Sequence, residues 1–145
     1  MDKKEILNIL ESLVDESQVA ILSTVDAEGK PAMRWMTPAT IKGRPASLFA
    51  VTSPNFRKIS HLEKNPEVEW MIQTRDLNRI LNVRGRITPV DNPSLKSEVL
   101  EGIGKRLEIF WRVNKKTDFL VLETLITEIT FFRPLEQKRE TVKIR

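Results

Sequence analysis

The chain has no cysteine, so neither a disulfide nor a thiolate metal site is open to it. Its single histidine, His61, has no second imidazole with which to build an ordinary zinc site and no suggested Ser or Asp partner, so it reads as a helix-surface residue. Apolar runs of membrane length are missing too. The richest stretch, from Phe119 to Phe132, is interrupted by Glu123, Thr124, Thr127 and Glu128 and reads as a strand or two. With no signal-like segment either, the expectation is a soluble cytoplasmic protein without a membrane partner. Repeats, linkers and low-complexity segments are absent, and 145 residues make one domain, 1–145, with one sizeable core.

What is present in excess is positive charge, a net +4 with a pI near 9.5. Clustered Lys and Arg would suggest nucleic acid, because they neutralise backbone phosphates and release counterions. Here the cations are dispersed among 20 acids, and no helix-turn-helix or aromatic-basic strand motif accompanies them. The pattern fits a solvated surface, with enough positive excess for a small anion and no nucleic-acid partner.

Periodicity places the elements. Ile6, Ile9, Leu10 and Leu13 recur at helical spacing and predict a helix from Asp2 to Val14. Val19 to Val25 and Ala32 to Thr37 read as strands joined by a hairpin turn at Asp26-Ala27-Glu28-Gly29. Gly43 and Pro45 mark the next turn, and Ala46 to Thr52 the third strand. Glu67 to Gln73 and Arg79 to Pro89 follow, the latter long enough to require a bend or bulge, placed at Gly85. Asn92 or Asp91 caps a helix from Pro93 to Leu100, the signal from Glu101 to Lys116 is mixed, Thr117 to Arg133 is strand-like, and Thr141 to Ile144 alternates as a strand could. Many short strands with few helices predict a mainly β fold, a barrel of about six strands with helices packed outside.

The stretch from Ala50 to Pro66 carries the most chemistry. A strand ending at Thr52-Ser53 runs through a turn into an amphipathic helix with Phe56, Ile59 and Leu62 on one side, Arg57 and Lys58 in its first turn, and a stop at Asn65-Pro66. Hydroxyls, free backbone N–H groups and two cations then surround one phosphate-sized point. Arg57 and Lys58 also fit plain surface charges on such a helix.

The order Thr52, Arg57-Lys58, Asn65-Pro66 and the apolar run Val68 to Ile72 resembles the flavin mononucleotide (FMN) binding split-barrel family, whose best-known branch is pyridoxamine 5′-phosphate oxidase. The upstream hairpin, Pro31, the strand Met33-Arg34-Trp35-Met36-Thr37, and Val83-Arg84-Gly85-Arg86-Ile87 extend the resemblance over roughly residues 5 to 133. It implies a six-stranded split β-barrel with peripheral helices, a homodimer with FMN in a cleft between subunits, and hydride or electron transfer from a nicotinamide reductant to a small molecule. In that picture Arg57, Lys58, Thr52 and Ser53 hold the phosphate. Arg34 reaches a ring carbonyl or ribityl oxygen, the backbone from Trp35 through Met36 to Thr37 lines the ring edge, and Trp111, otherwise a core residue, covers the flavin from the partner subunit.

The chain departs from the oxidase branch in three places. Ala39 stands where that branch has a lysine, Phe56 stands where it has a serine, and the tail from Pro134 to Arg145 has no histidine to hold a pyridoxine substrate. The resemblance is therefore to the short general-stress-protein type rather than to a true pyridoxine phosphate oxidase. A non-catalytic flavin-binding or flavin-storage role and a deazaflavin-dependent reductase remain the alternatives.

Overall fold

The structure, a computed structural model, describes residues 1–52, 62–103 and 119–145. Helix α1 (Lys3–Ser17) starts where the Asp2 carboxylate accepts the Glu5 N–H at 2.8 Å, a side-chain cap on an otherwise orphaned donor. Its apolar stripe, Ile6, Leu10, Leu13 and Val14, is fully buried. The helix runs three residues past the predicted end because 15–17 hold nothing that breaks a helix; it stops at Gln18, in the left-handed region at φ 63°, whose N–H closes on the Val14 carbonyl.

Eight strands follow among the described residues: β1 (Ala20–Val25), β2 (Pro31–Met36), β3 (Pro38–Ile41), β4 (Arg44–Thr52), β5 (Glu67–Gln73), β6 (Ile80–Pro89), β7 (Leu120–Arg133) and β8 (Lys138–Lys143). Helix α2 (Pro93–Ile103) lies between β6 and β7, its first N–H groups taken by the Asn92 side chain at 2.9 and 3.2 Å. All pairings are antiparallel, in the order β2-β1-β5-β6-β7-β4-β3, with β8 on the far half of β7. The two ends of that path, β2 and β3, are joined by Thr37 alone, so the sheet curls until its edges meet at a corner. This is the expected split barrel, with β3 added to the six predicted strands and β8 forming where the alternation of Thr141 to Ile144 suggested a strand, though it starts three residues earlier.

Two apolar clusters hold it. The barrel interior gathers Leu22, Leu48, Trp70, Val83 and Ile129 against the buried face of α1, which packs on β3, β5 and β8. A smaller cluster on the opposite face of β3, β4 and β7 is covered by Val99 and Ile103 of α2. Trp70 is fully buried and its indole N–H donates to the Thr124 hydroxyl at 3.0 Å. Trp70→Phe removes both the outer ring and that bond, leaving a buried hydroxyl unpaired. Urea denaturation should show a loss of about 2 kcal/mol.

Candidate cofactor site

Strand β2 is an edge strand with alternating faces. Met33 and Trp35 point outward, each 68% exposed, while Arg34 and Met36 point inward. Arg34 stands opposite Leu22, and Leu22 opposite the buried Trp70, so the guanidinium lies on an interior row of the barrel. Its Nη1 donates to the Leu22 carbonyl at 3.2 Å, and among the described residues it forms no ion pair. Burial pulls its pKa below the ordinary value. Such a group has further donors to offer and gains from an acceptor.

Thr52 ends β4, fully buried, and its Oγ1 has no hydrogen-bond partner among the described residues. A buried hydroxyl in that state costs free energy until something pairs with it. The β3–β4 register, Pro38 opposite Ala50, carries Met36 toward Thr52 when continued by two residues, so the Thr37 corner and the end of β4 lie together. That pairing sets the Thr37 corner near the end of β4, although the two are far apart in sequence.

Next to that corner a cavity of about 250 Å³ opens between residues 62–66 and the end of β6, walled mainly by Leu62, Pro66, Ile87 and Leu122. Leu122 is the register partner of Ala50, two residues from Thr52. Ser53, Arg57, Lys58, His61 and Trp111 lie outside the described residues. Residues 62–64 are helical and Leu62 is buried in the main core, in keeping with the predicted end of the helix before Asn65-Pro66.

Sequence reasoning missed Thr24. It alternates with Ala20 and Leu22 on the inner face of β1, is 1% exposed, and its hydroxyl also lacks a partner among the described residues. Its only signal was a polar residue at a core-facing position. Glu123 was noted merely as a break in an apolar stretch; it is a buried carboxylate accepting from Arg44 and from the Ser47 hydroxyl, both at 2.7 Å, and it ties the start of β4 to β7. Ala39 packs in the cluster under α2, where it is 2% exposed. Among the described residues no group of three or more His, Asp or Glu could hold a metal ion, and no helix is long and apolar enough to cross a membrane.

Comparison with known proteins gives these features a context. Residues 5–132 match the family model described as pyridoxamine 5′-phosphate oxidase. A curated relative, the pyridoxine/pyridoxamine 5′-phosphate oxidase of Sphingopyxis alaskensis, is 29% identical over 79 residues, 54% of this chain and 35% of that protein, so the match spans about a third of the relative's length. Among solved structures, a Clostridium acetobutylicum protein related to general stress protein 26 aligns at TM-score 0.76 and 19% identity, covering 98% of this chain and 96% of that one. A pyridoxamine 5′-phosphate oxidase-related, FMN-binding protein from Nostoc punctiforme aligns at 0.69 and 14%, covering 99% and 96%. A heme-binding protein from Mycobacterium smegmatis shares the fold at 0.73 and 13%, covering 94% and 57%.

Proposed function

The chain belongs to the pyridoxamine 5′-phosphate oxidase family, and from that premise we propose that it is an FMN-binding flavoprotein of the general-stress-protein type that works as an oxidoreductase on a small molecule. The observation that carries the reading is the corner itself. Among the described residues a half-buried arginine, Arg34, has no ion pair and the buried Thr52 hydroxyl has no partner, and a mostly apolar cavity reaches Leu122, the register partner of Ala50 two residues before Thr52. A phosphorylated, ring-bearing ligand supplies what each lacks: anionic oxygens for Thr52 and a hydrogen-bonding ring edge for Arg34.

Residues Thr52, Ser53, Arg57 and Lys58 would hold the phosphate, and Arg34 with the backbone of Trp35, Met36 and Thr37 the ring, Trp111 covering it from a second subunit. When bound, FMN supplies hydride or electron transfer. The polypeptide's part is to bind, orient and exclude water, and a cation such as Arg34 near the ring favours the anionic reduced form. A homodimer with two such sites is part of the proposal; the exposed Met33 and Trp35 on the open edge of β2 support it.

Thr52→Val tests the corner, because it keeps the shape and removes the hydroxyl. The dissociation constant for FMN is expected to rise about tenfold. Stability of the flavin-free protein should stay level or rise, since an unpaired buried hydroxyl is lost. Equal flavin affinity in the two proteins removes Thr52 from the site.

A second reading, flavin binding without turnover, draws on Ala39, whose buried place under α2 leaves neither the lysine of the oxidase branch nor room for it. Absorbance of the purified protein distinguishes oxidised flavin from a deazaflavin. Bleaching by NADH or NADPH with an acceptor then separates an enzyme from a flavin store.

A further inference from the structure

A groove of about 590 Å³ runs over the outer face of the sheet, where the end of α1 passes into β1 alongside the end of β5. Its floor is apolar. Val19 is 49% exposed and Met71 36%, and Ile21 stands opposite Met71, so these apolar side chains adjoin across two strands. Grooves of this size and lining take small molecules.

The polar rim is mostly committed elsewhere. The Glu16 carboxylate is bound by Arg79, and the Ser17 hydroxyl donates to the Gln73 carbonyl at 2.6 Å. The Thr74 hydroxyl donates to Asp76 at 2.6 Å and the Asn78 N–H at 3.0 Å; these bonds, the first above all, hold the Asp76 carboxyl below its usual range. Arg75 alone lines the groove with a charge that finds no hydrogen bond or ion pair among the described residues. The Gln73 side chain, half-buried beside it, adds an amide donor.

We propose that this groove binds a small carboxylate carrying an apolar ring or chain. The apolar part rests on Val19, Ile21 and Met71, and the carboxylate meets Arg75, whose planar fork suits two oxygens at once. A neutral apolar molecule would gain nothing from the exposed guanidinium, and a cation would be repelled by it. This site stands apart from the Thr37–Thr52 corner and does not depend on the flavin reading.

Calorimetric titration of the full chain with 1-naphthoate and with uncharged 1-naphthylmethanol tests it, with flavin content read by absorbance on the same sample. The naphthoate should bind one per chain, and the alcohol about tenfold more weakly. Arg75→Gln should weaken naphthoate about tenfold while leaving the alcohol and the flavin content unchanged, and Met71→Glu should weaken both probes. Equal affinity for the two probes, or no effect of Arg75→Gln on naphthoate, overturns the proposal. A null titration with naphthoate overturns it too, and a Met71→Glu variant that turns a dimer into a monomer in light scattering would then show that a second copy of the chain covers the groove.

Discussion

Replacing Arg57 and Lys58 together with alanine is expected to strip the protein of flavin, raising the FMN dissociation constant by a factor on the order of 10² to 10⁴. The magnitude follows from charge. Each cation that meets a phosphate makes a charge-assisted bond whose loss costs about 1.5–3 kcal/mol, and every 1.4 kcal/mol is tenfold in affinity. The two residues follow Thr52 by five and six positions, and the chain re-emerges at Leu62 buried in the main core. Both described residues that bracket the segment, Thr52 and Leu62, are buried, and Thr52 has an unpartnered hydroxyl among the described residues. Thermal melts of flavin-free wild type and variant should coincide, because the sequence pattern predicts both cations on the solvated side of an amphipathic helix, where charges contribute little to stability. Flavin retention undiminished in the double variant would falsify the phosphate placement, leaving Thr52 and Arg34 to be explained by another ligand.

How much of this was legible beforehand differs from element to element, for physical reasons. Strand β5 falls at its predicted bounds, because Asn65-Pro66 ends the preceding helix and the burial alternation from Glu67 to Gln73 is regular. Strand β3 was not visible. It is four residues long, opens on Pro38, and gains its definition from pairing with β4 across the turn at Gly43, φ 92°. The start of β4 was set two residues late because Pro45 reads as a turn residue. Proline is tolerated there because pairing with β7 begins only at Ser47, so its missing N–H is not needed on that side.

The site divides in the same way. Arg34 stood out as a cation in a strand, and its face followed from the period of two. That its guanidinium has no ion pair among the described residues, and that the Thr24 and Thr52 hydroxyls have no partner there, follow from which strands become neighbours, and no local pattern carries that. The closeness of the Thr37 corner to the end of β4 likewise depends on β2 and β3 being the two ends of one curled sheet.

Gly85→Ala is expected to destabilise the protein by about 3–5 kcal/mol, although alanine is the smallest possible change. The β6–β7 register shifts between Arg84 and Gly85, and at that bulge the two backbones close up. A Cβ at Gly85 would lie far closer than van der Waals contact to the Leu125 carbonyl oxygen and 2.7 Å from Thr124 Cγ2. The carbonyl cannot retreat, since Leu125 is paired with Arg86 on one side and Ser47 on the other, so the clash spreads through three strands. Against a typical total of about 5–15 kcal/mol this is a large fraction, and the urea midpoint should fall by about 2 M at an unchanged slope. The same substitution at Gly102, inside α2 with nothing within 4 Å of the added carbon, should stabilise by up to about 1 kcal/mol through helix propensity. Opposite signs from one chemical change separate close backbone approach from conformational entropy. A Gly85→Ala protein as stable as wild type would mean that β6 and β7 do not approach in this way, and the bulge that lets the barrel curl would have to lie elsewhere.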